Sequence, residues 1–146
     1  MKDVTSQLHL SAVPTPVLDV VWPQAKELLN MAVVATNGVY DLDSVYRGLL
    51  SGEYVLWLVL DGTTPVAALT TRICDYPRRR GLALDWLGGK RMAEWLPMVN
   101  DVMSQYAREN GCTHLEGYGR KAWGRWLNKY GWKPAYTAFK LELTDG

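Results

Sequence analysis

The stretch from Leu82 to Trp132 constrains the fold more than any other part of this chain. Leu82 to Trp86 (LALDW) reads as a strand, Gly88-Gly89 as a turn, and Arg91 to Arg108 as a long helix. In that helix Met92, Trp95, Leu96, Val99, Val102, Met103 and Tyr106 recur at spacings of three and four, which makes one apolar stripe. Pro97 is a local flaw in it, and Asn110-Gly111 ends it. Thr113 to Tyr118 then reads as strand again. Strand, helix, strand in that order predicts two parallel strands joined by a right-handed crossover. It also puts two glycines, Lys90 and Arg91 where a central strand ends and a helix begins. Backbone N–H groups converge at such a point, a geometry suited to a phosphate. The plainer alternative is that the glycines only relieve a tight strand-to-helix turn.

The remaining elements follow from similar signals. Leu8 to Val13 is a short strand interrupted by Pro14 and Pro16. Val17 to Val34 has helical spacing, with Pro23 inside and Asn37-Gly38 closing it. Asp41 is the expected N-cap of a second helix, with Ser44 three residues on and Ser51-Gly52 as its stop. Tyr54 to Leu60 (YVLWLVL) and Pro65 to Ile73 are strands joined by a hairpin turn at Asp61-Gly62. After the strand Thr113 to Tyr118 come a short helix, Arg120 to Tyr130, and a last strand, Tyr136 to Leu143, predicted from strict alternation. The order is β-α-α-β-β-β-α-β-α-β, an α/β class with a mixed, mainly antiparallel sheet flanked by helices. One domain spanning residues 1–146 is expected, without repeats or linkers.

Composition narrows the function classes. Seven Trp and 48% apolar residues are enough for a core without staples. No apolar run is long enough to span a membrane, and the start of the chain lacks the apolar region of a signal peptide. Cys74 and Cys112 have neither metal nor redox spacing and read as reduced, buried thiols of a cytoplasmic protein. Residues 72–133 carry 12 Lys and Arg against 6 Asp and Glu, whereas the rest carries 4 against 9. The basic half contains the glycine pair, so a nucleotide-bearing anion is the expected ligand; a solvated helix face gives the same imbalance. A nucleic-acid partner is not favoured, because no known binding motif accompanies the basic aromatic segment GRKAWGRWL.

The residues able to move a proton are few. Asp85 lies on the strand beside the glycines and Glu116 on its expected neighbour; either carboxylate could serve as general base, directly or through water, or pair with an arginine instead. Tyr118 and Tyr130 are candidate acids, and His114, standing alone, reads as structural. No Ser-His-Asp set, metal-ligand spacing or activated cysteine is present in the sequence.

Two words carry a family resemblance. LDWLGGKRMAEW stands where the GNAT superfamily of acyl-CoA-dependent N-acyltransferases has its pyrophosphate loop (Q/R-x-x-G-x-G/A), and GRWLNKYGWKP resembles that family's ending YxKxGF. With the element order, the resemblance covers roughly Leu8 to Leu143. It implies a GNAT-like fold and acetyl transfer from acetyl-CoA to an amine, on a small molecule or a protein. The cofactor would lie where the fourth and fifth strands splay, with its diphosphate on Trp86, Leu87, Gly88, Gly89, Lys90, Arg91, Met92 and Ala93. The amine would attack the thioester directly, with Asp85 or Glu116 activating it through water. Gly89→Asp would then abolish cofactor binding without unfolding the chain. Aligned on the loop, Arg91 takes the place of the key glycine and Ala93 fits the last position. The tyrosine that protonates the leaving thiolate in the family falls at Leu127, which leaves Tyr130 or water for that role. The words LWLVLDG, YPRRR, LGGKRMAEW and GRKAWGRWL also resemble a divergent GNAT-like group of tailed phages. That implies the alternative of an inactive module in a virion or homo-oligomer.

Overall fold

The computed structural model describes residues 7–36, 38–118 and 123–143. Five strands form one sheet in sequential order: β1 (Leu8–Ala12), β2 (Val55–Asp61), β3 (Thr64–Asp75), β4 (Arg80–Gly89) and β5 (His114–Glu116). The first four are mutually antiparallel, and β5 runs parallel to β4. The helices are α1 (Leu18–Val34), α2 (Leu42–Ser51), α3 (Met92–Glu109) and α4 (Trp123–Leu127), with short 3-10 turns at Thr15–Val17 and Asn128–Tyr130. The fold is thus the mixed, mainly antiparallel sheet flanked by helices that the sequence implies. The parallel β4-α3-β5 crossover is present as expected.

The two faces of the sheet bury separate cores. On one, the apolar stripe of α3 (Trp95, Val99, Met103) packs on Val59, Leu69 and Leu82. On the other, Ala25 and Leu29 of α1 and Val45 and Leu49 of α2 cover Leu56, Leu58 and Trp86. Helix α2 starts where the sequence placed it: the Asp41 carboxylate accepts from the Ser44 N–H at 2.8 Å, and the Asp41 N–H donates to Ser44 Oγ at 3.2 Å. Such a capping box satisfies two backbone or side-chain partners that would otherwise face only water. Pro23 sits inside α1 and does not end it.

Four expectations need correction. Gly88 and Gly89 are the last residues of β4, paired with Ala68 and Ala67; the strand-to-helix turn is made by Lys90 and Arg91. The β2–β3 hairpin turns at Gly62-Thr63, because Asp61 still pairs with Thr64. The helix expected over Arg120 to Tyr130 is α4 followed by a 3-10 turn, closed by Gly131 in the left-handed region, with residues 120–122 outside the described ones. Residues 136–143 form no strand: they alternate, but no neighbouring strand offers them a ladder, and Phe139 is 92% exposed. Alternation supplies a period; a strand also needs a partner edge.

Candidate active site

The site begins with a mismatch in strand length. β5 pairs with β4 only across Gly81, Leu82 and Ala83. From Leu84 to Gly89 that side of β4 faces a cavity of about 1070 Å³ instead of a strand. Gly117 marks the divergence, since a Cβ there would lie 3.2 Å from the Leu84 carbonyl oxygen. The C-terminal end of α1, the first turns of α3, and Trp123, Leu127 and Trp132 complete the wall. Trp132 is fixed to α3 by a 2.8 Å hydrogen bond from its indole N–H to Asn100 Oδ1.

A bulge shapes the middle of the wall. Thr70 pairs with Trp86 and Thr71 with Leu84, so Asp85 has no opposite number on β3. The Trp86 N–H donates to the buried Thr70 Oγ1 at 3.3 Å, and the Trp57 indole donates to Thr71 Oγ1 at 3.0 Å. Extra residues of this kind bend a strand and re-aim its side chains. Here Asp85 and Trp86, neighbours in sequence, both line the cavity.

Asp85 does not stand alone. Arg72 grips it with two hydrogen bonds, Nε to Oδ2 at 2.8 Å and Nη2 to Oδ1 at 3.1 Å, and the Asp85 side chain is only 9% exposed. The hydrogen bonds it donates to this carboxylate hold the Arg72 guanidinium protonated well beyond its ordinary range. Arg72 also donates to Cys74 Sγ at 3.2 Å. Both carboxylate oxygens are engaged by one guanidinium, so Asp85 is one half of a two-pronged neutral pair.

Glu116 is engaged elsewhere. It accepts from the Tyr76 hydroxyl at 2.6 Å, and its other oxygen lies 2.8 Å from His114 Nε2. Glu116 is not among the cavity-lining residues. The hydrogen bond to Glu116 raises the Tyr76 phenol well above its usual value. Gly81 lies directly beneath this cluster, where a Cβ would come within 2.5 Å of both Glu116 Oε1 and His114 Nε2. His114, expected to be merely structural, is the centre of a network that also includes Thr113 Oγ1 at 3.0 Å.

Tyr130 packs beside the α3-side core and does not line the cavity, whereas Leu127 does. Three other phenols, those of Tyr40, Tyr54 and Tyr118, line the cavity. Tyr118, from the chain just after β5, shares a 2.8 Å hydrogen bond with Tyr136, which pushes it up to about 12. Tyr54, just before β2, is pushed up to about 12, chiefly by burial and then by the charge of Glu53. Tyr54 and Tyr40, also on the wall, were missed by sequence reasoning. Both belong to segments distant from the motifs, and only the fold brings them there.

The loop residues divide into two groups. Gly88, Gly89, Trp86, Leu87 and Met92 line the cavity. Arg91 does not: its Nη1 binds Asp61 Oδ2 at 2.7 Å, and its Nε and Nη2 bind Glu94 at 2.9 Å each. It therefore neither crowds the cavity nor contributes its charge there. It occupies the left-handed region, φ 63° and ψ 38°, as the residue before α3. Lys90 is exposed; its N–H donates to the Val66 carbonyl at 2.8 Å and its carbonyl accepts from the buried Trp95 indole. The Arg91 side chain makes no cap to α3, so the N–H groups of Met92 and Ala93 have no partner within the helix; Met92 lines the cavity and Ala93 does not. Gly89→Asp is a poor probe of this place, because a Cβ on Gly89 would lie 2.5 Å from Ala67 Cα, inside β3.

Comparison with solved structures identifies the architecture. An aminoglycoside acetyltransferase from an uncultured soil metagenomic sample, in complex with sisomicin, superposes with a TM-score of 0.70 at 14% identity over 97% of this chain and 100% of its own. The fold is that of the GNAT acetyltransferases. A Clostridium acetobutylicum protein described as a predicted acetyltransferase, with acetyl-CoA, matches with a TM-score of 0.65 at 12% identity over 92% of this chain and 96% of its own. A GCN5-related N-acetyltransferase from Ralstonia eutropha gives 0.61 at 14% identity, over 92% and 98%. No protein-family model matches the chain, and no curated protein does. Among the described residues, no group of three His, Cys, Asp or Glu is placed to hold a metal ion, and no helix is long and apolar enough to cross a membrane.

Proposed function

We propose that the chain is an acyl-CoA-dependent N-acyltransferase. The observation that carries this reading is the cavity along the unpaired edge of β4, with the uncapped start of α3 at one end. Acyl-CoA fits these residues. The first-turn amides of Met92 and Ala93 would hold its diphosphate, favoured by the positive end of an 18-residue helix. The backbone at Gly88 and Gly89 leaves the approach free of side chains, and exposed Lys90 adds a cation nearby. Leu87, Leu96 and Val99 would line the path of the apolar arm. When bound, acyl-CoA supplies the acyl group already activated as a thioester.

The chain's own residues then position the acceptor and move protons. An amine that has lost one proton to solvent bonds to the acyl carbon as the carbon–sulfur bond breaks. The second nitrogen proton is released, and the departing sulfur takes one up. Tyr118, protonated at neutral pH and on the cavity wall, is the group we assign to deliver that proton, in place of Tyr130. Asp85 keeps Arg72 fixed, and water carries the base role that the engaged carboxylates do not fill. Two free, buried thiols, Cys74 and Cys112, accord with a reducing, cytoplasmic setting. The assembly alternative, a homo-oligomer or a phage-particle component, rests on sequence words alone, and the likeness to acetyltransferases favours the enzyme.

Thermal denaturation with and without acetyl-CoA tests the cofactor site. At ~100 times its dissociation constant, a ligand of the native state adds ~2.7 kcal/mol of stability, so a rise of several degrees is expected. Ala93→Asp separates folding from binding. A carboxylate in the first turn of a helix favours the fold by about 0.3–1 kcal/mol but repels a diphosphate. We expect an unchanged or raised Tm without ligand and loss of the acetyl-CoA shift. A variant that keeps the full shift would remove the diphosphate from α3.

A further inference from the structure

We propose that the acceptor is a singly charged primary amine flanked by an aromatic or aliphatic group, held by Glu53 and the rings of Tyr40, Tyr54 and Trp86. This rests on the acyltransferase reading and names the substrate class of the same cavity.

Among the described residues, Glu53, Arg72 and Asp85 are the ionised side chains that line the cavity. Arg72 and Asp85 neutralise each other in a two-pronged pair, so Glu53 sets the net charge of that end. Its negative field is felt by the adjacent Tyr54, whose phenol it helps to raise. Four residues beyond Asp85, roughly 13 Å at strand rise, β4 ends at Gly89; α3 begins just after it at Met92, and this is the end that suits an anion. The cavity is therefore bipolar, with an anion site at one end and a cation site at the other.

The aromatic residues decide what kind of cation. Tyr40 and Tyr54 both stand edge-to-face with Trp86, at centroid distances of 5.1 and 5.2 Å and interplanar angles of 76° and 88°. All three line the cavity. Ring faces attract an ammonium group, the more so when it is partly desolvated. Beside them, Met31, Ala32 and Ala35 of α1 give an apolar lip, with Met31 68% exposed. One carboxylate and an apolar lip suit one ammonium carrying a hydrophobic substituent. A polycation would leave further ammonium groups desolvated without partners.

Bound as an ammonium, the acceptor gives one proton to water. Its nitrogen then bonds to the acyl carbon while the carbon–sulfur bond breaks. The products are an amide, a thiol and the proton released to solvent.

The test compares 2-phenylethylamine with sisomicin as acceptors, following thiol release from acetyl-CoA. It also measures 2-phenylethylamine binding to the free protein by Trp fluorescence and saturation-transfer NMR. We expect 2-phenylethylamine to have a KM at least tenfold below that of sisomicin. Glu53→Gln, at an exposed position tolerant of the change, should raise that KM about tenfold and leave kcat and the acetyl-CoA stabilisation unaltered. Tyr40→Leu should raise it as well. Preference for sisomicin, or an unchanged KM in Glu53→Gln, overturns the proposal. If acetyl-CoA neither stabilises the protein nor is turned over, the acyltransferase reading fails. The cation site is then judged on amine binding alone: weakening by Glu53→Gln supports it, and unaltered or absent binding refutes it.

Discussion

Arg91 holds a backbone conformation that residues with a Cβ seldom adopt, and its side chain explains why it persists. The left-handed region costs roughly 1–2 kcal/mol for an L-residue other than glycine. Here the guanidinium is tied to Asp61 at the end of β2 and to Glu94 one turn into α3. The turn is thus held from both sides while the helix start is aimed at the cavity. Two substitutions separate backbone from side chain. Arg91→Ala and Arg91→Gly both lose the ion pairs, but only glycine relaxes the backbone. Glycine is also the better residue before a helix. We therefore expect Arg91→Gly to be the more stable of the two by about 1 kcal/mol in chemical denaturation. Equal stabilities would mean that the left-handed geometry carries no strain. From sequence, a cation ahead of a helix reads as an anion ligand. Its two carboxylate partners are 30 and three residues away, and only the nearer is visible to local inspection.

At the scale of elements, the glycine pair belongs to packing as much as to the cavity. Gly88 faces α1 so closely that a Cβ would overlap the Leu28 carbonyl oxygen. Backbone cannot yield as a flexible side chain can, so Gly88→Ala must displace the helix. Forced overpacking of a tight contact costs about 1–3 kcal/mol, and we expect a Tm loss of that order. Because Met31, Ala32 and Ala35 of α1 form one lip of the cavity, the acceptor KM should also rise. A fully stable Gly88→Ala protein would mean that α1 sits further from β4. The β4-α3-β5 unit and the α2 cap were legible in the sequence because each is local: periodicity, a capping pair and a right-handed crossover determine them. The extension of β4 through both glycines was not. Glycine marks turns and close approaches alike, and the helix that makes the approach is 60 residues earlier in the chain.

At the scale of the molecule, what remains is how the open side of the sheet ends. The cavity depends on β5 being short, and β5 is the last strand of the sheet. Its sequence predicted six residues, Thr113 to Tyr118, but three pair with β4, and Tyr118 turns to the cavity. In the alternating stretch 136–143, Lys140 and Glu142, two apart, form a 2.7 Å ion pair. Yet Phe139, Leu141 and Leu143 are 92%, 84% and 86% exposed, and the stretch adds no strand to the sheet. Nor does it join either core: its first residue, Tyr136, meets the body through the hydrogen bond with Tyr118, and the chain just before it is held by Trp132. Tolerance of truncation follows from burial and hydrogen bonding of the removed segment rather than from its position. Ending the chain after Lys133 should therefore lower Tm by no more than about 2 °C, within the effect of a surface change of ~0.5 kcal/mol. The same truncation removes Tyr136, so the Tyr118 phenol should titrate nearer its usual 10 in a spectrophotometric titration. A loss of many degrees would show instead that the alternating residues are paired in solution, and that the period seen in the sequence has a partner edge after all.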